Sequence, residues 1–138
     1  MAIIDRLLAP GSGFQKNFFF LAKRFVAGET IDTAIQAVRE LNAEGMTATL
    51  DFLGEDVLER DAAIKTRDAY LAMLDRIRET GVQTNVSVKM TAMGLLIDPD
   101  FALDNLARIL HHAQRNADSF VRIDMEGTPV TQSTLDLF

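Results

Sequence analysis

The sequence predicts an α/β fold built from parallel strand–helix units. Three short runs of apolar and β-branched residues recur along the chain, and their last residues are ionisable: Asp51, Lys89 and Asp124. Successive run ends are about 35 to 40 positions apart, which is the length of one βα unit with its loops. Because chemistry in such folds gathers at the carboxyl ends of the strands, we expect these three side chains to meet.

The length of the chain limits how much of such a fold it can form. At 138 residues it has room for one hydrophobic core, whereas a closed eight-stranded α/β barrel takes roughly 200 to 250 residues. Residues 135–138 read as the start of a further helix that lacks a stop signal. We therefore expect this sequence to be the leading part of a longer protein.

The elements can be placed from local signals in chain order. Residues 1–28 form a leading helical segment, and the barrel-like portion begins at residue 29. The strands are predicted over 46–53, 85–90 and 119–125, where β-branched and apolar residues concentrate. Glycines follow the first strand and the first two helices, and a turn with glycine and proline follows the third strand.

Each predicted helix carries its own boundary signals. Thr30 is a plausible N-cap of the first helix, and Gly45 fits the position after its C-cap. The second helix spans about residues 58–80 and stops at Gly81. The third begins at Asp98 as N-cap, with proline in the favoured first position. Its predicted buried face comprises Phe101, Leu103, Leu106, Ile109, Leu110 and Ala113.

Composition excludes several classes of protein. The chain is 48% hydrophobic and 25% charged, as in a soluble globular domain, and it has no apolar run near the roughly 20 residues that span a bilayer. A net charge of −6 argues against non-specific nucleic-acid binding. The absence of cysteine excludes disulfides and Cys-ligated metals and suits a reducing cytosol. The acidic residue in 1–6 argues against a signal peptide.

Lys89 has three readings. A structural ion pair at the strand end is the simplest. A desolvated lysine with a lowered pKa would be a Schiff-base nucleophile, and a protonated lysine would hold an anionic substrate group. A carboxylate on the neighbouring strand, Asp124, favours the charged form.

The carboxylates are similarly ambiguous. Asp124 would cap the following helix or stand free at the strand end, and the second reading is favoured because a cap is expected nearer Thr128. Asp51 would bond to loop backbone or join the site, and the same choice holds for Glu55. Among the methionines, only Met125 is placed to touch a ligand.

The adjacent histidines and the glycines near the N-terminus do not predict a site. His111 and His112 are adjacent and point about 100° apart, whereas a helical metal site needs i,i+4 spacing. We expect both to be surface residues and predict no metal site. The glycines in 11–13 lack the preceding strand of a dinucleotide-binding motif.

Four ordered motifs carry a family resemblance. They are Phe25-Val26-Ala27-Gly28-Glu29-Thr30, Thr49-Leu50-Asp51-Phe52-Leu53-Gly54-Glu55, Asn85-Val86-Ser87-Val88-Lys89 and Val121-Arg122-Ile123-Asp124-Met125-Glu126. From about Arg24 onward the chain resembles bacterial monofunctional proline dehydrogenases. The resemblance implies part of a distorted (βα)8, TIM-like barrel. It also implies FAD as cofactor, oxidation of L-proline to 1-pyrroline-5-carboxylate in proline catabolism, and a membrane quinone as electron acceptor.

The resemblance assigns roles to four residues. Lys89 matches the lysine that helps to bind the substrate carboxylate, and Asp124 matches the active-site aspartate. Met125 matches a residue that contacts FAD. Glu55 matches the carboxylate that pairs with a substrate-binding arginine when the site closes. The family's later strands, most flavin contacts, a tyrosine and paired arginines have no match before Phe138.

These matches set the expected location, partners and rival functions. A cytoplasmic protein is expected, with peripheral membrane association of the complete enzyme. The 138 residues alone are expected to be inactive. Two alternatives are an aldolase-like barrel enzyme that uses Lys89 as a Schiff base, and a non-catalytic half-barrel that self-associates through open sheet edges.

Overall fold

A computed structural model describes residues 30–115 and 120–137. It contains four helices and three strands in strict alternation within these ranges. They are α1 (Ile31–Ala43), β1 (Ala48–Asp51), α2 (Arg60–Thr80), β2 (Thr84–Lys89), α3 (Pro99–Ala113), β3 (Val121–Asp124) and α4 (Thr128–Leu135). The predicted leading segment 1–28 and the predicted start of the third strand at residue 119 lie outside the described residues.

The three strands form one parallel sheet in the order β1-β2-β3. Sequential order with a helix after each strand is the arrangement of βα units that continue round a barrel wall, so the α/β prediction is confirmed. The register pairs Asp51 with Ser87 and Lys89 with Asp124. Residues paired in this way project from the same face of the sheet.

The two faces of the sheet differ in character. One is apolar and packs into the core, with Val86 and Val88 fully buried and Leu50 nearly so. The other is mostly polar and carries these side chains: Thr49, Asp51, Asn85, Ser87, Lys89, Arg122 and Asp124. The strand-end charges therefore share the face that no described helix covers.

Local boundary signals are confirmed at the helix ends. Thr30 and Thr33 form a reciprocal capping box at the start of α1. Gly45 and Gly81 have positive φ angles of 79° and 66°, the left-handed conformation for which glycine is suited at helix ends. The Asp98 side chain accepts the first free N–H groups of α3. The cap of α4 is Gly127 rather than a residue at 128.

The predicted buried face of α3 is partly wrong. Leu103 and Leu110 are each 39% exposed, whereas Ala102 and Asn105 are fully buried. The Asn105 amide donates to the carbonyl of Met93 at 2.9 Å. A polar residue lies inside because it satisfies a buried loop carbonyl, a requirement that apolar periodicity does not express.

The predicted strands overrun the observed ones by a residue or more at most ends. β1 stops at Asp51 because the next backbone N–H, that of Phe52, donates to the hydroxyl of Tyr70 instead of extending the ladder.

Among the described residues, no helix is long and apolar enough to cross a bilayer.

Candidate active site

The three ionisable strand ends meet on the polar face, as predicted. Lys89 Nζ lies 3.2 Å from Asp51 Oδ2 and 3.3 Å from Asp124 Oδ2. The lysine side chain is 18% exposed and that of Asp124 is 49% exposed. A largely covered ammonium is thus held between two carboxylates, with Asp124 as the side more open to solvent.

The surroundings of Lys89 favour its charged form. Burial by itself lowers the pKa of Lys89, but the hydrogen bonds and negative charges of Asp51 and Asp124 outweigh it and hold the pKa above its ordinary value. The ammonium is therefore protonated throughout the physiological range. An amine must be neutral to attack a carbonyl, so this environment disfavours a Schiff-base role.

Tyr70 is a further residue of the site, which the strand-end pattern did not predict. It is fully buried on α2, and its hydroxyl lies 2.9 Å from Asp51 Oδ1 and 2.7 Å from the carbonyl oxygen of Ser87. The same hydroxyl accepts from the Phe52 N–H at 3.1 Å. Burial raises the pKa of Tyr70 well above its usual value, so the hydroxyl is neutral and keeps its proton.

The two oxygens of Asp51 consequently have different partners. Oδ1 faces the Tyr70 hydroxyl and Oδ2 faces Lys89. The described contacts of Asp51 are to these side chains rather than to loop backbone. Tyr70 thereby orients Asp51, which in turn orients Lys89. The sequence indicates only that the hydroxyl of its single tyrosine needs a partner if that residue is buried, and it does not indicate which residues supply that partner.

Glu55 and Met125 lie in the loops that follow β1 and β3. Glu55 is exposed on the loop between β1 and α2, and no ion pair joins it to another described residue. Met125 follows Asp124 in the sequence, and it is 53% exposed. The roles predicted for both residues remain predictions.

The histidines lie away from the site. His111 is exposed, as expected. His112 is not a free surface residue, since its side chain is only 17% exposed and Nε2 lies 2.9 Å from Asp75 Oδ1. The surface prediction is wrong there because α3 packs on α2. The described part of the chain contains no group of three residues that could hold a metal ion.

A family model described as proline dehydrogenase matches residues 34–138. Proline dehydrogenase 2 of Bacillus subtilis strain 168 is 33% identical over 117 residues, 85% of this chain and 38% of the relative. Proline dehydrogenase 1 of the same strain is 35% identical with the same coverage. Proline dehydrogenase of Deinococcus radiodurans is 34% identical over 127 residues, which are 90% of this chain and 41% of the relative.

A solved structure has the same fold. The chain is similar to a crystal structure of proline utilization A from Bdellovibrio bacteriovorus inactivated by N-propargylglycine. The TM-score is 0.80 at 26% sequence identity, over 90% of this chain and 15% of the other. The chain thus spans about two-fifths of the length of these curated relatives and a smaller share of the solved chain.

Proposed function

The chain belongs to the proline dehydrogenase family, and we propose that it forms the substrate-carboxylate side of a flavin-dependent site that oxidises L-proline to 1-pyrroline-5-carboxylate. Since the chain spans 38% of a typical relative, the reaction is proposed for the complete barrel. The FAD cofactor and a quinone as electron acceptor are part of the same proposal. So is peripheral membrane association of a cytoplasmic enzyme.

The observation that carries this proposal is the paired geometry of Lys89. An ammonium has three N–H donors, and two of them are directed at Asp51 and Asp124. The third has no partner among residues 30–115 and 120–137 and is available for a substrate carboxylate on the polar face of the sheet. A carboxylate brought there would form a charge-assisted hydrogen bond.

The net charge of the cluster suits an amino acid substrate. One ammonium and two carboxylates leave the cluster with one excess negative charge, which opposes a purely anionic ligand. L-proline is a zwitterion at neutral pH, so Lys89 can bind its carboxylate while the more exposed Asp124 accepts from its amine. Further cations from other parts of a complete barrel would strengthen the hold on the carboxylate.

The residues present fit one side of a flavin site. Met125, the residue after Asp124 in the sequence, has an exposed, polarizable side chain, and such side chains pack well against aromatic ring systems. FAD, when bound, supplies the hydride acceptor. Met125 would contact that cofactor, while the polar face would hold the substrate against it.

The contribution of this chain to the reaction is orientation. Oxidation of proline removes a hydride from the ring carbon next to nitrogen and a proton from the nitrogen. Lys89 fixes the carboxylate, so the direction of that carbon–hydrogen bond is set before reaction. Asp124 holds the lysine and the amine, and the Tyr70–Asp51 contact keeps the lysine from rotating away.

The Schiff-base alternative makes a distinct prediction. A lysine that forms an imine is captured by borohydride in the presence of a carbonyl substrate. We expect no such adduct at Lys89, because its raised pKa leaves little neutral amine. Mass spectrometry of the reduced protein would detect a covalent adduct if this reasoning were wrong.

The non-catalytic alternative is favoured by the sheet edges. In the described residues, β1 and β3 each pair on one side only, and unpaired edges recruit other strands. We expect the 138 residues alone to self-associate, to retain little FAD and to oxidise no proline. Sedimentation and the visible spectrum test this, and a yellow, active monomer would contradict it.

A segment chimera tests the proposed function. The matching part of Bacillus subtilis proline dehydrogenase 2 is replaced by residues 34–138 of this chain, the range of the family match. We expect this segment chimera to bind FAD and to reduce a dye acceptor with L-proline. A second chimera carrying Lys89→Met serves as the matched control, since it keeps the aliphatic stem.

The outcomes separate folding from function. A flavin-loaded segment chimera without proline-dependent dye reduction would overturn the proposal. So would equal activity in the Lys89→Met control. Retention of flavin by that control would show that Lys89 serves the substrate rather than anchoring the cofactor.

A further inference from the structure

Thr91 connects the loops that follow two of the strands. It is 1% exposed and lies two residues beyond Lys89. Its hydroxyl oxygen accepts from the Asp56 N–H at 3.0 Å, and its carbonyl accepts from the Val57 N–H at 3.2 Å. Two successive backbone groups of the loop after β1 are therefore attached to one residue of the loop after β2.

Glu126, in the loop that follows the third strand, holds Thr91. One carboxylate oxygen accepts from the Thr91 N–H at 3.0 Å, and the other lies in a short contact with the Thr91 hydroxyl. The carboxylate has no proton to give, so the hydroxyl donates to Glu126. Its lone pairs are then left to accept from Asp56. Because the hydroxyl donates its proton to Glu126, its oxygen is oriented to accept from the Asp56 N–H.

The loop held in this way has an unusual backbone. Asp56 has a φ of 53°, in the left-handed region that residues other than glycine seldom adopt. Aspartate tolerates this conformation better than most, but it still favours a partner that fixes it. The N–H bond to Thr91 supplies that partner, directly next to Glu55.

We propose that Thr91 and Glu126 are positioning residues that hold the loop bearing Glu55 at the carboxyl ends of the strands. Glu126, in the loop after β3, sets the direction of the Thr91 hydroxyl, and Thr91, in the loop after β2, fixes residues 56 and 57 of the loop after β1. The effect on substrate rests on the proposed function. The clamp itself, defined as Glu126, Thr91 and Asp56, does not.

Three substitutions isolate the clamp. Thr91→Val keeps the branched shape but removes the hydroxyl, whereas Thr91→Ser keeps the hydroxyl. Glu126→Gln keeps one side-chain oxygen that can accept from Thr91. It replaces the other oxygen by an amide NH2 group, which cannot accept a hydrogen bond from the second Thr91 donor. The Val57 N–H is an internal control, because its acceptor is a backbone carbonyl that no substitution removes.

The first readout is amide exchange in the full chain. We expect the Asp56 amide to exchange about five- to tenfold faster in Thr91→Val, the size expected from losing one neutral hydrogen bond. Glu126→Gln should also accelerate it, while Thr91→Ser and the Val57 amide should stay within about twofold. Unchanged Asp56 exchange in Thr91→Val and Glu126→Gln, or equal loss in Thr91→Ser, would overturn the clamp.

The second readout is steady-state kinetics of the segment chimera. Thr91→Val and Glu126→Gln should raise KM for L-proline about fivefold, with kcat within about twofold and with rescue in Thr91→Ser. Faster Asp56 exchange with unchanged KM would overturn the positioning role. If the unsubstituted chimera were inactive, the proposed function would fail, while the exchange result would still decide the clamp.

Discussion

The two faces of the sheet alternate residue by residue along β2 and serve different ends. Val88 is fully buried against the helices, whereas the next residue, Lys89, joins two carboxylates on the polar face. Burial of apolar side chains holds the sheet to its helices. The charges contribute little to that and instead create a site. Substitution of Val88 should therefore lower mainly the stability of the fold, and substitution of the neighbouring Lys89 should lower mainly activity.

A charge on the apolar face should have the largest effect on stability. Val88→Asp would place a carboxylate in a fully buried position without a partner, which costs about 4 kcal/mol or more. We expect the segment chimera to lose its cooperative thermal transition. Lys89→Met, one residue along, should cost about 1 kcal/mol. Similar melting temperatures for the two variants would break the distinction between the faces.

Removal of the Tyr70 hydroxyl, which links the buried helix α2 to Asp51 on the polar face, should have an intermediate effect on stability. Tyr70→Phe removes the hydroxyl that links Asp51, the Phe52 N–H and the Ser87 carbonyl. Leaving such groups unpaired costs about 1–3 kcal/mol. Denaturant unfolding of the segment chimera measures the loss. Thr131→Val, a hydroxyl deletion on α4, is the control and should change stability by about 0.5 kcal/mol or less.

Alkaline pH should have the smallest effect. The pKa of Lys89 is raised by its carboxylates, so its contribution to stability is fully present below the unfolded lysine pKa of about 10.4. It is lost as the pH rises through the higher folded pKa. The stability difference between the segment chimera and its Lys89→Met variant should shrink over that window. Lys65→Met, at an exposed lysine with no described ion pair, should show no such trend.

Features set by local chemistry were predictable from the sequence. Thr30, Gly45 and Asp98 mark helix ends through backbone groups within a few residues, so their roles follow from short patterns. The meeting of Lys89 with its two carboxylates followed from strand-end spacing, because parallel strands bring their carboxyl ends to one edge.

Hydrogen bonds between side chains that are far apart in the sequence were not predictable. The Tyr70 hydroxyl and the Thr91–Glu126 contact join residues far apart in sequence, at distances that only packing determines. The burial of Asn105 in place of Leu103 has a similar cause. A polar side chain enters the core when a loop carbonyl needs a donor, and hydrophobic periodicity carries no information about that carbonyl.

The central claim is that Lys89 binds the substrate carboxylate. It is tested most directly by removing the lysine ammonium and the substrate carboxylate separately and together. In the segment chimera, kcat/KM is measured for L-proline and for L-prolinol, which has a neutral alcohol in place of the carboxylate. We predict that Lys89→Met lowers kcat/KM for L-proline at least about tenfold, with flavin retained, and changes that for L-prolinol by about twofold or less. Equal losses for the two substrates would contradict the assignment of Lys89 to the carboxylate.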